Sequence, residues 1–159
     1  MSFSMGRERD RIATKLFNIG AVKFGAFKLK LHETHPEAPL SPFYLNLRTP
    51  DNKKPGPLSL DIVVDIISEL RDEIRASGLC ETPPIHIAGL PNAGDPFARA
   101  LFGIRWCGGS LITLNKTESS SGRRISALKH GGFAKGDKVA VIDDVVTGAD
   151  TKLEGISVL

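Results

Sequence analysis

Two adjacent carboxylates, Asp143 and Asp144, close the run Lys138-Val139-Ala140-Val141-Ile142 and lead into Val145-Val146-Thr147-Gly148-Ala149-Asp150-Thr151. Paired acids suit a ligand that offers vicinal hydroxyls and carries Mg2+. The turn after them combines small side chains, unpaired backbone N–H groups and the hydroxyls of Thr147 and Thr151 at a helix start. Such a turn cradles phosphate, because a helix N-terminus presents unsatisfied donors at its positive end. Successive side chains on a strand alternate, so only one of the two acids is expected to face into the sheet. The chemistry described is a seat for a sugar phosphate.

The elements that must position this seat can be read outward from it. Residues 139–142 are too few for a helix and rich in β-branched types, which predicts a buried parallel strand. Residues 152–159 read as the helix that follows. In an open α/β sheet, ligands lie beyond the carboxyl ends of the strands. A second strand is expected over 84–88, then the turn Gly89-Leu90-Pro91-Asn92-Ala93-Gly94-Asp95 and a helix over 97–102. That order again places backbone N–H groups where an anion can sit. His86 falls mid-strand and reads as a core or edge histidine. Ile62, Val63, Ile66, Ile67, Leu70 and Ile74 recur at helical spacing, giving a scaffold helix over 58–76 with Ser59 as N-cap and Gly78 as stop. A helix over 7–17 opens the chain. Residues 24–31 and 43–47 alternate apolar and polar side chains, which predicts an antiparallel hairpin. Loops are expected over 32–39 and 49–57. A third core strand covers 110–114, and residues 115–138 form a long polar connection of the kind that carries function.

These strings resemble the type I phosphoribosyltransferases, and among them the orotate phosphoribosyltransferases. Four apolar residues, two acids, two apolar residues and a Thr-rich, Gly-containing turn make up the phosphoribosyl-pyrophosphate (PRPP) motif of that family. "NIGAVKFGAFKLK" and "SPFYLNLR" are similar to the opening strings of the orotate enzymes. The resemblance implies an α/β fold: an open, mostly parallel sheet with flanking helices, plus an N-terminal helix and an antiparallel hairpin hood, with the family's C-terminal strands missing. It implies transfer of phosphoribosyl from Mg2+-bound PRPP to a pyrimidine base such as orotate, with release of pyrophosphate. Asp143 and Asp144 would take the ribose hydroxyls, and the residues from Val145 to Thr151 the 5′-phosphate. Lys30, Lys116 and the loop of Gly89, Leu90, Pro91, Asn92, Ala93, Gly94 and Asp95 would address the pyrophosphate. Ser41, Pro42, Phe43, Tyr44 and Thr147 would line the base pocket. No protein side chain is assigned directly to the metal, which arrives with PRPP. A homodimer is also implied.

The chain departs from the family in four places. Aligned on Gly122, Asn115, Lys116, Ser119 and Ser121 stand where the family's loop has arginine, lysine, a second lysine and histidine. No residue matches the family's C-terminal arginine for the orotate carboxylate. The glycine of the phosphate turn comes one place early, and residues 31–40 form a longer link than usual. These departures leave a second reading open: a non-catalytic PRPP- or nucleotide-binding protein of the same fold. An unrelated α/β nucleotide binder lacks support, since no Walker-type string is present.

Composition bounds the rest. The 159 residues are expected to form one phosphoribosyltransferase-like domain, with the hood over about 1–57 and the α/β core over about 58–159. A net charge of +3 without any block of like charge does not indicate nucleic acid. No apolar run is long enough to span a membrane, and residues 1–11 lack a signal-type apolar core. Cys80 and Cys107 lack metal spacing and read as reduced thiols, in keeping with a cytoplasmic setting.

Overall fold

A computed structural model describes residues 2–33, 35–78, 85–104, 108–119, 122–145 and 150–159. The elements run α1 (Ser2–Asn18), β1 (Val22–Phe27), a 3-10 turn (Lys30–Glu33), β2 (Ser41–Leu45), α2 (Leu60–Ala76), β3 (Ile85–Gly89), α3 (Asp95–Gly103), β4 (Gly108–Ser119), β5 (Gly122–His130), β6 (Lys138–Ile142) and α4 (Asp150–Val158).

The core sheet has the strand order β5-β4-β3-β6. β3 pairs in parallel with both β4 and β6, while β5 is an antiparallel edge. Side-chain alternation along the strands separates two apolar layers. Ile87, Ala140 and Ile142 pack with Ile62, Val63 and Ile67 of α2 and with Phe97, Ala98 and Leu101 of α3. Ala88, Ile112, Leu114 and Ile125 face the other way, toward Val158 and Leu159 at the end of α4. All five residues of β3 are buried, as a strand covered on both faces requires. Chain β3 proceeds to β4 on one side, and β6 lies on the other, so the carboxyl ends of β3 and β6 flank the point where the strand order reverses.

α2 buries Ile62, Val63 and Ile67, and the chain leaves it through Gly78 at φ 74°, a left-handed conformation that glycine adopts without penalty. Ser59 occupies the N-cap position, although its side chain makes no capping hydrogen bond. α1 lies against α2 through buried Ile12 and half-buried Leu16, with Lys15 and Arg11 both on Asp65. The Lys15 contact is the main cause that holds the Asp65 carboxyl below its ordinary range.

Four expectations need correction. The first hood strand ends at Phe27 and its pairing shifts register between Phe24 and Phe27, so Lys30 opens a 3-10 turn instead of extending a strand. The second strand is Ser41–Leu45, two residues earlier than expected, and just past it the Asn46 amide donates to the Ala21 carbonyl at 2.8 Å. The connection over 115–138 is mostly not a loop. β4 continues to Ser119 and returns as β5, with Leu114 opposite Leu128 and Lys116 opposite Ile125. Thr117 and Glu118 lie opposite Arg124 and Arg123. An edge ribbon of this kind can be polar along much of its length, which hides it from a reading based on apolar runs. The third core strand is correspondingly longer than 110–114. Cys80, Cys107, Pro84, Ser120 and Ser121 lie outside the described residues.

Candidate functional site

β6 ends at Ile142, and the strand pleat stops with it. Asp143 and Asp144 follow it directly. Both are half-buried, and Asp143 acts on the Asp144 carboxyl as its neighbour. Burial first, and the neighbouring Asp143 charge second, push the Asp144 carboxyl above its ordinary range. The Val145 amide, which donates to Asp144 Oδ1 at 2.9 Å, and the Arg48 guanidinium pull the other way. Asp143 is ion-paired: Lys152 Nζ lies 2.7 Å from its Oδ2 and also donates to the Val145 carbonyl at 2.9 Å.

The loop of residues 89–95 packs directly beside this pair. The Leu90 amide donates to the Ile142 carbonyl at 2.8 Å, and the Gly94 amide closes the turn on the Leu90 carbonyl at 2.9 Å. A methyl at Gly94 would stand 2.3 Å from the Ile142 oxygen, so only glycine allows this approach. Asp95 begins α3, whose first turn contains Pro96, so the loop runs into a helix N-terminus. Lys116 reaches over from β4 and donates to the Pro91 carbonyl at 3.1 Å. The Asn52 side-chain amide, in the loop over 49–57, donates to the Asn92 carbonyl at 3.5 Å.

The hood string is placed by the β1–β2 pairing. Phe43 stands opposite Phe24, and Tyr44 opposite Lys23. Ser41 Oγ donates to the Phe43 carbonyl at 2.7 Å, and the Tyr44 ring lies 5.7 Å from that of Phe27. Pro42 and Phe43 are exposed. Arg48 Nη1 donates to the Tyr44 hydroxyl at 3.0 Å, so the same guanidinium that biases Asp144 also touches the aromatic string.

The structure thus brings together Asp143, Asp144, Val145, the loop of residues 89–95 and Lys116 at one end of the sheet. Asp150 and Thr151 open α4 beside them. Val146, Thr147, Gly148 and Ala149, expected in the phosphate turn, lie outside the described residues. Lys30 opens the 3-10 turn on the hood. Two residues escaped the sequence reading. Lys152 sits inside the strand–turn–helix string, where its place as the first residue of an expected helix gives no sign of its partner. Arg48 ends the "SPFYLNLR" string, and its charge was the available signal. His86 lies far from this end: its ring spans Ser110 Oγ (2.8 Å) and Asp137 Oδ2 (3.2 Å) near the amino ends of the strands, as a tied core histidine.

The open α/β sheet, with an acid pair after β6 beside the loop after β3 at its switch point, resembles the type I phosphoribosyltransferase fold. Within that class the likeness runs to orotate enzymes. The chain is 26% identical over 158 residues to an orotate phosphoribosyltransferase of Methanopyrus kandleri, a match covering 98% of this chain and 72% of that protein. It superposes on the UMP synthase of Leishmania donovani with a TM-score of 0.56 at 29% identity, over 94% of this chain and 28% of that one. The orotate phosphoribosyltransferase of Francisella tularensis shares the fold at 17% identity and a TM-score of 0.54, covering 91% of this chain and 60% of that one. The chain therefore spans well under a third of the first of these structures and about three fifths of the second. No protein-family model matches the chain.

Proposed function

We propose that this chain binds Mg2+-PRPP and transfers its phosphoribosyl group to a pyrimidine base such as orotate. The observation that supports this most directly is the meeting of three features at one sheet end: the acid pair after β6, the loop after β3, and Lys116 bonded to that loop. Asp143 and Asp144 accept hydrogen bonds from the ribose hydroxyls, and the residues from Val145 to Thr151 hold the 5′-phosphate. The base nitrogen forms a bond to C1 of the ribose and loses its proton to the departing pyrophosphate, while the bond from C1 to pyrophosphate oxygen breaks, its electron pair leaving with pyrophosphate. Positive charge builds on the ring and negative charge on the leaving group. Lys116, Lys30 and the loop of residues 89–95, through the Asn92 and Ala93 amides, are addressed to that leaving group, where donors are worth more in the transition state than before it. Ser41 to Tyr44, with Thr147, face the base. Hard oxygen donors suit Mg2+, which would arrive with PRPP, with no protein side chain assigned as its direct ligand. When bound, it neutralises the leaving group.

On this reading the whole chain is one phosphoribosyltransferase-like unit, hood about 1–57 and core about 58–159, cytoplasmic and homodimeric. Among the described residues, no helix is long and apolar enough to cross a membrane. A second reading, PRPP binding without turnover, is favoured by one feature: Ser119, at the end of β4, stands where the orotate family has its second loop lysine. Calorimetry with Mg2+-PRPP and an orotate-consumption assay separate the two. Binding with turnover supports the enzyme, binding alone supports the second reading, and neither would defeat both.

A further inference from the structure

We propose that Lys152 is a positioning residue that clamps the sugar-phosphate seat, tying the acid before the turn to the helix after it. This rests on the PRPP reading for its functional consequence, but the clamp itself stands on geometry. The Lys152 ammonium donates to Asp143 Oδ2 at 2.7 Å and to the Val145 carbonyl at 2.9 Å. Both side chains of the ion pair are largely buried, at 18% and 14% exposure. One cation therefore holds two points on the strand side of the turn from one point on the helix side.

The helix that carries Lys152 is itself fixed. Gly155, one turn along, lies so close to the Leu90 side chain that a methyl there would stand 2.5 Å from its Cδ2. Val158 and Leu159 pack on the same layer as Leu90 and Leu114. Leu90 belongs to the neighbouring loop, so the anion loop, α4 and the acid pair form one packed unit with Lys152 as its polar tie. Each carboxylate oxygen has more than one lone pair, so Asp143 keeps acceptor capacity for a ligand hydroxyl while Lys152 holds it. Ordering the seat before the ligand arrives raises affinity, since a site competent only part of the time binds in proportion to that fraction.

The test uses Lys152→Met, Lys152→Gln and Lys152→Arg in the full chain, with Mg2+-PRPP as the probe in calorimetry. Amide hydrogen exchange at Val145 and at residues 152–155 is measured without ligand. Met and Gln are expected to weaken PRPP binding about tenfold or more and to speed exchange at those amides. Arg, which keeps the charge and the reach, is expected to restore most of both. Gln retains a donor and gives a readable variant if Met fails to fold. Wild-type or tighter PRPP binding by the Met variant overturns the proposal, and tighter binding would mean that Lys152 competes with ligand for Asp143. If the wild type itself binds no PRPP, the functional reading fails while exchange still decides the clamp: unchanged exchange in Met and Gln sinks it.

Discussion

Lys116 Nζ and the Pro91 carbonyl oxygen stand 3.1 Å apart, a bond that joins the carboxyl-terminal part of β4 to the loop following its neighbour β3. The lysine lies within a strand whose residues fix its origin, so its ammonium is delivered to the loop by the sheet and not by a mobile segment. A half-buried cation so placed can brace the loop, stabilise a departing anion, or do both.

Kinetics distinguish those roles. If Lys116 acts on the leaving group, Lys116→Gln should lower kcat on the order of 10² to 10³ while the KM for PRPP changes little. A raised KM with kcat intact would assign it to binding alone. Steady-state orotate consumption, with circular dichroism as a check on folding, gives the answer.

Gly94 tests whether the loop must touch the acid strand. Its φ of −76° is open to any residue, so the constraint is contact with the Ile142 oxygen and not backbone conformation. Gly94→Ala should destabilise the fold by about 1 to 3 kcal/mol, the usual cost of overpacking, read by denaturant unfolding. A neutral outcome would show that the loop can withdraw without loss.

Asp144 should show opposite effects on stability and binding. Burial and Asp143 raise its carboxyl above the ordinary range, so the folded state binds the proton more tightly than the unfolded state. Stability then falls as pH rises from the ordinary aspartate range to the raised folded value, and the deficit is complete above it. Asp144→Asn should therefore melt higher than wild type at neutral pH, with the difference vanishing in strong acid. The same change should weaken PRPP binding about 10- to 100-fold, through loss of a charged acceptor. Thermal melts across pH and calorimetry at neutral pH check both signs, and parallel losses of stability and affinity would contradict the site.

Ser119 tests competence. It closes β4 opposite Gly122, at the tip of the ribbon. If a missing loop lysine limits turnover, Ser119→Lys should raise kcat, by up to the order of 10² that one electrostatic donor supplies. An unchanged rate would place any limitation elsewhere.

Much of the core was legible from the sequence because local signals agreed with the global arrangement. The apolar spacing of α2 marks one face, and that face is buried against β3 and α3. The β-branched run ending at Ile142 is too short for a helix, and it lies in parallel beside β3. The strings around Gly89 and Asp143 identified the two loops, and the sheet sets them side by side.

The extension of β4 beyond Leu114 and its return as β5 were not legible. There the two strands are polar along much of their length and bond to each other, so this part of the ribbon does not announce itself through apolar alternation. The hood strand was read too long because Phe24, Phe27, Leu29 and Leu31 continue an apolar rhythm that the chain abandons after Phe27. Leu29 and Leu31 are exposed, so no buried face enforces that rhythm.

The sequence by itself determined which residue types stand at the ends of the central strands, since acids, glycines and prolines declare a turn wherever they occur. Tertiary structure alone decided their partners: that Asp143 meets Lys152, that Lys116 meets Pro91, and that Arg48 reaches both Tyr44 and the field of Asp144. The reason is geometric. A strand ending fixes where a carboxylate starts, but its charge state and its neighbour depend on residues brought close only by the closing of the sheet and the seating of α4 upon it.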